Sequence, residues 1–295
     1  MRALTTQALL PALIIVGLAS AAQAEPAEAQ AETGLGLPVH TTLSSQFRML
    51  AVVDQDPAND QLMLYGLRAR GDVFEGGQVF LGTGLRQRFT AEAGESGFDL
   101  QDSQVGFAWK TSLPLAPDLD LGLTHEAAVF LPTSRISRAQ DLYAAPQVRL
   151  GLSVEPMPGL SVAGGPRVRY RFHKYAERAG LGGGMNTQLD ASVGLGADYQ
   201  VFESERFGGL GVGLSAGSTW LRKYNSRDAF VSAESDQGVW LQAYDWEAHV
   251  GYSWQILELS VSVEQGGGVL RDGIVNTFLV HRDETELAIT LAASL

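Results

Sequence analysis

The chain has 295 residues, with 33 acidic and 21 basic side chains, a formal net charge of −12 and no cysteine. Without cysteine it forms neither disulfides nor thiolate metal sites, and an acidic balance of this size argues against nucleic-acid binding. No segment beyond the N-terminus reaches 18 consecutive apolar residues, so the sequence predicts no transmembrane helix.

The first 24 residues predict a secretory signal peptide. Arg2 is the only charge before Glu25, an apolar run covers residues 8–17, and an A-x-A cleavage pattern ends at Ala24. The apolar run is too short for a membrane anchor, so we expect cleavage after Ala24 and export of the protein. Residues 25–40 are predicted to form a disordered leader that is rich in Ala and Glu at its start.

From residue 41 onward, apolar and polar residues alternate with a period of two, which is typical of β-strands. The clearest segment is 244–254, whose apolar face begins with Tyr244 and Trp246 and ends with Tyr252 and Trp254. This segment exceeds the ~5–6 residues of a soluble strand and matches the ~9–11 of a transmembrane strand. Twelve strands are predicted, at residues 42–53, 61–70, 78–89, 101–113, 119–131, 143–155, 160–172, 187–199, 209–221, 244–254, 258–265 and 278–295.

The predicted connections alternate between short and long. The short set comprises residues 71–77, 114–118, 156–159, 201–208 and 255–257. The long and more polar set comprises residues 54–60, 90–100, 132–142, 173–186, 222–238 and 266–277, of which the first is the shortest. Short turns at one rim and long loops at the other are typical of transmembrane barrels.

The chain resembles bacterial outer-membrane β-barrel proteins in its strand length, its aromatic strand ends, its alternating connections and its amphipathic last strand. That family usually ends in an aromatic residue, where this chain has Leu295. The resemblance implies a single all-β, antiparallel transmembrane barrel over residues 41–295, with short periplasmic turns and longer extracellular loops, but no specific subfamily. It also implies contact with outer-membrane lipid and lipopolysaccharide, and insertion by the barrel assembly machinery through the last strand.

A soluble β-sandwich is the alternative to a barrel. It would require two or more domains, because such a unit has ~100 residues. The sequence shows neither a linker-like change in composition nor a repeat of fixed period, and a barrel is therefore favoured. Its aromatic girdles would consist of Trp109, Tyr170, Tyr199, Trp220, Tyr244, Trp246, Tyr252 and Trp254.

Charged residues on the polar strand faces separate along the chain. Basic residues concentrate between the second and seventh predicted strands, and acidic residues dominate from the eighth onward. The separation has exceptions in the basic half, which are Asp102, Asp120, Glu126 and Glu155. The residues predicted to line the lumen are Arg86, Arg88, Arg149, Arg167, Arg169, Arg171, Asp190, Asp198, Asp245, Glu247, His249, Glu264 and Glu286.

Two functions agree with this charge pattern. In a channel, a basic wall facing an acidic wall creates a transverse field across water and selects small polar solutes that diffuse passively. Porins are known for such segregation, and the resemblance implies it here. In a plugged barrel, arginines and carboxylates instead pair across the lumen, leaving a non-conducting structural or surface-binding protein. Twelve strands lie between filled eight-stranded barrels and porins of ~16 strands, so the sequence leaves both possibilities open.

A catalytic function has less support. Outer-membrane phospholipases use a His-x-Ser pair, and none of the five histidines here has Ser two positions later. Outer-membrane proteases use Asp and His groups. Asp245, Glu247 and His249 would supply only part of such a set. No phosphate-binding loop or metal-ligand spacing is present. We therefore expect neither an enzyme nor a cofactor, with an outer-membrane hydrolase as the minor alternative.

His125 departs from the pattern, because its parity places it on the apolar face with Leu123 and Ala127. Either a β-bulge shifts the register near it, or it lies close to a membrane interface.

Overall fold

The computed structural model describes residues 39–52, 60–88, 97–117, 119–176, 185–224, 240–268, 270–271, 274–275 and 285–294. The predicted signal peptide, the leader up to residue 38 and the first part of the predicted last strand, 278–284, lie outside these residues.

Twelve long strands make up most of the described chain, one for each predicted strand. They are β1 (Val39–Val52), β2 (Asp60–Phe74), β3 (Gly77–Arg88), β4 (Ser103–Ala116), β5 (Leu119–Leu131), β6 (Leu142–Met157), β7 (Leu160–Tyr170), β8 (Thr187–Ser204), β9 (Gly208–Lys223), β10 (Trp240–Trp254), β11 (Leu257–Gly268) and β12 (Thr285–Ser294). The connections hold a helix, α1 (Arg135–Ala139), and short strands at Phe98–Leu100, Phe172–His173, Leu270–Arg271 and Ile274–Val275.

Every long strand pairs antiparallel with the next one along the chain, and β12 pairs with β1. The hydrogen-bonded order therefore returns to its starting strand: Ser44 of β1 lies opposite Gly66 of β2 and also opposite Ser294 of β12. The fold is an antiparallel β-barrel, as predicted. Among the described residues, no helix is long and apolar enough to cross a membrane.

Alternate residues of each strand face opposite sides of the barrel wall. Large apolar side chains of one parity are exposed, as expected for a surface that meets lipid. Examples from six strands are Leu67, Leu81, Val105, Val148, Leu195 and Leu214. Side chains of the other parity contact one another on the concave inner face. Arg68 lies 4.3 Å from the ring centre of Phe80, and a β-carbon on Gly106 would overlap Phe80 and Ala128.

The two rims differ as predicted. Among the described residues, 75–76, 158–159, 205–207 and 255–256 form short turns at one rim, and the strand ends that long connections join lie at the other, the long-loop rim. Gly76 and Gly159 adopt φ angles of +77° and +79° in these turns, which glycine accommodates without strain. Helix α1 lies within residues 132–142, which were predicted to form a loop.

His125 stays on the outer face. The pairings of β5 with β4 and β6 keep a constant register through this residue, so no bulge reorients it. Its imidazole stacks on the indole of Trp109, directly opposite on β4, with ring centres 4.0 Å apart and planes at 17°. The aromatic contact explains how a polar ring lies among the outward apolar residues.

Candidate functional site

Asp190 joins two arginines on the inner face where β7 and β8 pair. Its Oδ1 accepts a hydrogen bond from Arg167 Nη2 at 3.1 Å, and its Oδ2 accepts one from Arg171 Nη2 at 3.0 Å. The carboxylate is buried, whereas both guanidinium groups are partly exposed. Asp190, predicted as part of the acidic wall, therefore belongs structurally to the basic cluster on β7.

Arg169, between these two arginines on β7, is held by neutral groups. Its Nε and Nη2 donate to Gln147 Oε1 of β6 at 3.0 and 2.6 Å, and its guanidinium lies 4.0 Å from the ring centre of Phe130 on β5. Neither partner neutralises its charge. Arg149 on β6 lies opposite Arg167 and is exposed. The cluster of Arg149, Arg167, Arg169, Arg171 and Asp190 therefore carries more positive than negative charge.

A cavity of about 300 Å³ lies beside this cluster at the long-loop rim. Phe130, Arg169 and Arg171 line it from the strands, and Asp102 and Ser137 line it from the loops. Asp102 accepts hydrogen bonds from Ser134 N at 2.9 Å and from the Ser137 hydroxyl. This carboxylate therefore fixes the N-terminal turn of α1 over the cavity.

Three glutamates lie in register across the opposite part of the wall. Glu247 of β10 pairs with Glu264 of β11, which pairs in turn with Glu286 of β12. Like charges at directly opposed positions repel, unless water or cations screen them. Glu247 and Glu264 also line a hollow of about 180 Å³, which places them on the inner face.

His249 connects Glu247 to one further acidic residue of the inner wall, Asp198. Its Nε2 lies 3.2 Å from Asp198 Oδ1 on β8, and its Nδ1 lies 3.7 Å from Glu247 Oε1. Asp198 and His249 reach each other over Gly213 of β9, because a β-carbon there would overlap both side chains. Gly209 and Gly217, on the same face of β9, likewise lie under side chains of the neighbouring strands.

The other predicted lumen residues are more dispersed. Arg86 forms an ion pair with Asp99 at 3.7 Å, and Asp245 lies over Gly217. The side chain of Arg88 lies outside the described part of the chain. Among the side chains that the structure describes, no ion pair joins the arginines of β2–β7 to Asp198, Asp245, Glu247 or Glu286.

The predicted girdle residues fall on the outer parity. Trp109, Tyr199, Tyr252 and Trp254 are exposed, whereas Tyr170, Trp220, Tyr244 and Trp246 are partly covered by neighbours. Tyr170 accepts a hydrogen bond from Gln188, and Tyr244 accepts one from Gln265. The sequence interpretation missed Trp240, since its strand began at residue 244 and Gln242 interrupts the apolar even-numbered pattern between Tyr244 and Trp240.

Gln147, Phe130 and Asp102 were also missed as site residues. Gln147 and Phe130 have the inward parity of their strands, but neither is charged. Asp102 was noted only as an exception to the charge pattern. A search for uncharged inward residues beside the arginines would have found the first two, whereas the role of Asp102 depends on the position of α1.

No family model and no curated protein matches the chain. Among solved structures, an outer membrane channel from Pseudomonas putida F1 is similar over 92% of this chain and 99% of that chain, with a TM-score of 0.53 and 12% identity. The channel DcaP of Acinetobacter baumannii (90% and 100% covered, TM-score 0.44, 10% identity) and the NanC porin (86% and 98%, 0.43, 10%) also match.

The similarity to the Pseudomonas putida F1 channel defines the fold class of the protein. Its fold is that of a bacterial outer-membrane β-barrel with porin-like architecture, and the similarity to the Pseudomonas putida F1 channel carries this assignment. At 12% identity the similarity concerns the fold alone and indicates no subfamily.

Proposed function

We propose that this protein is an outer-membrane channel through which small polar solutes diffuse passively, and that it has no enzymatic activity. The observation that carries the proposal is the separation of charge on the inner face. The arginine cluster of β6 and β7 and the glutamate row of β10–β12 lie on different parts of the wall.

The size of the ring supports a water-filled passage. Twelve strands spaced ~4.8 Å apart and tilted by ~40° close a ring roughly 24 Å across between opposite backbones. Several inward charges, including Asp198 and Glu247, have half-exposed side chains. Three glutamates in register also repel one another least when water separates and screens them.

The two charged regions give the passage its selectivity. A field directed from the arginine cluster to the glutamate row orients dipolar solutes that cross between them. Arg169 is the central cation, because Gln147 and Phe130 fix its position without neutralising it. An apolar solute is disfavoured on such a wall, because it would displace water from the charged groups without replacing the hydrogen bonds that they lose.

Solute passage can be measured by swelling of proteoliposomes that contain the refolded full-length protein. We expect rapid swelling with small sugars and amino acids, and none with a polymer wider than the lumen. Equal rates for protein-free and protein-containing liposomes would support a plugged barrel and overturn the proposal.

A further inference from the structure

The cavity beneath α1 has a positively charged lining. Arg169 and Arg171 contribute two guanidinium groups to its wall, and Asp102 contributes one carboxylate. Each oxygen of Asp102 already accepts a hydrogen bond, one from Ser134 N and the other from the Ser137 hydroxyl. The lining therefore carries an excess of one positive charge, which favours an anion in the cavity.

Both of these arginines keep hydrogen-bond donors for a ligand. Arg169 donates to Gln147 through Nε and Nη2, and Arg171 donates to Asp190 through Nη2. Among the residues that the structure describes, none accepts a hydrogen bond from Nη1 of either arginine. Gln147 and the ring of Phe130 hold the Arg169 guanidinium in place. A carboxylate matches such fixed donors, because its two oxygens accept from guanidinium N–H groups in a planar arrangement.

Two neutral polar side chains also line the cavity. Gln140 directly follows α1, Thr187 begins β8, and both residues are half-buried. Within the described part of the chain, neither the Gln140 amide nor the Thr187 hydroxyl has a hydrogen-bond partner. These groups favour a ligand that carries hydroxyls, because an apolar ligand would displace their water without replacing its hydrogen bonds.

We propose that this cavity binds small hydroxycarboxylates. The carboxylate lies on Arg169 and Arg171, and the hydroxyls lie on Gln140 and Thr187. The volume of about 300 Å³ is at the lower end of the range for small-molecule sites, so the ligand is small. The inference rests on the proposed function, because it names the class of polar solute that enters the lumen at this rim. It goes beyond the transverse field, which acts on any charged or dipolar solute and does not distinguish hydroxyl groups.

Ligand-observed NMR titration of the detergent-solubilised full-length protein tests the proposal with a matched set of ligands. Glycerate carries a carboxylate and hydroxyls, glyceramide has a neutral amide in place of the carboxylate, and propionate lacks the hydroxyls. Glyceramide should bind about tenfold more weakly than glycerate, because it forms no charge-assisted hydrogen bonds with the arginines. Propionate should also bind about tenfold more weakly, because it leaves the neutral polar groups of the cavity without partners.

Three variants separate the contributions of the cavity. Thr187→Val keeps the shape of the side chain but removes its hydroxyl, so it should weaken glycerate binding about fivefold and leave propionate binding unchanged. Arg169→Gln should weaken the binding of both carboxylates about tenfold. Arg206→Gln is the control, because Arg206 is an exposed cation in the turn 205–207 at the opposite rim. Its loss should leave both affinities unchanged.

Equal affinities for glycerate and propionate, or for glycerate and glyceramide, would overturn the proposal, and this comparison requires no variant to fold. An equal loss of glycerate binding in Arg206→Gln and Arg169→Gln would also overturn it, since net charge rather than the cavity would then attract the anion. Binding is measured without a membrane, so its failure is distinct from a failure of solute passage. Glycerate binding without swelling of proteoliposomes would instead overturn the channel function and support the binding site.

Discussion

His249 and Asp198 form a contact across a strand that separates them. The two residues lie on β10 and β8, yet His249 Nε2 is only 3.2 Å from Asp198 Oδ1. Gly213, between them on β9, has no side chain to keep them apart. Glycine at this position therefore leaves room for two side chains to meet on the inner wall. It is not needed for an unusual backbone conformation.

Replacing Gly213 by Ala should separate this pair, because the added methyl group would overlap both side chains. We expect a loss of about 1–3 kcal/mol of unfolding free energy, the usual range for overpacking. Urea unfolding of the refolded protein measures it. Gly194→Ala is the control, since its β-carbon would meet only Ala216 O at 3.7 Å. Equal stability of the two variants would show that the Asp198–His249 contact is not constrained by Gly213.

Asp190→Asn should increase anion selectivity. The change removes the one carboxylate that Arg167 and Arg171 share, and so raises the positive charge of the cluster. Reversal potentials in a KCl gradient measure the shift. Asp198→Asn, on the other part of the wall, also removes one negative charge but leaves both arginines paired. A larger shift for Asp198→Asn than for Asp190→Asn would contradict the proposal that the arginine cluster dominates ion selectivity.

Glu286→Gln should stabilise the barrel, because Glu286 lies directly opposite Glu264. Relief of this like-charge contact should contribute about 0.2–1 kcal/mol, and the gain should shrink in 1 M salt. Unfolding midpoints at low and high salt measure both effects. Glu258→Gln is the control, since Glu258 lies opposite Ser253 and Ala292. A gain that does not change with salt would exclude charge repulsion as its cause.

Asp102→Ala should release α1 from the barrel. The carboxylate accepts hydrogen bonds from the first residues of this five-residue helix, and their loss should cost about 1–2 kcal/mol. Limited trypsin digestion should then cleave after the exposed Arg135 and Arg138 about tenfold faster, since cleavage follows the opened population. Asp99→Ala is the control, because Asp99 pairs with Arg86 instead. Identical digestion rates would show that α1 is held by other contacts.

The strands were predictable because their signal is local. A period of two over ten or more residues needs no knowledge of the neighbouring strand, and it identified the position of all twelve. Strand ends were less accurate: β10 starts at Trp240, since its first residues follow a polar loop without a turn signal. Helix α1 was not predicted, because a helix of five residues needs support from outside its own segment, which here comes from Asp102 in addition to the cap residue Ser134.

The sequence predicted which residues of the site face inward. It did not predict their contacts, which depend on the register between neighbouring strands. Parity identified Arg167, Arg169 and Arg171 as inward residues, but not that Asp190 pairs with two of them. The same limit applies to Gln188, because strict alternation with Asp190 would place it on the inner face. A register shift between Thr187 and Leu189 moves it to the outer side, where it binds Tyr170. The lipopolysaccharide contact and insertion through β12 stay predictions.

Single-channel recording in planar bilayers tests the central claim, that separated charges line an open lumen. The unmodified full-length protein should give discrete current steps. Arg169→Gln should shift its reversal potential in a KCl gradient toward cation selectivity, and Glu247→Gln should shift it toward anion selectivity. Absence of current steps, or reversal potentials that neither substitution changes, would contradict the account.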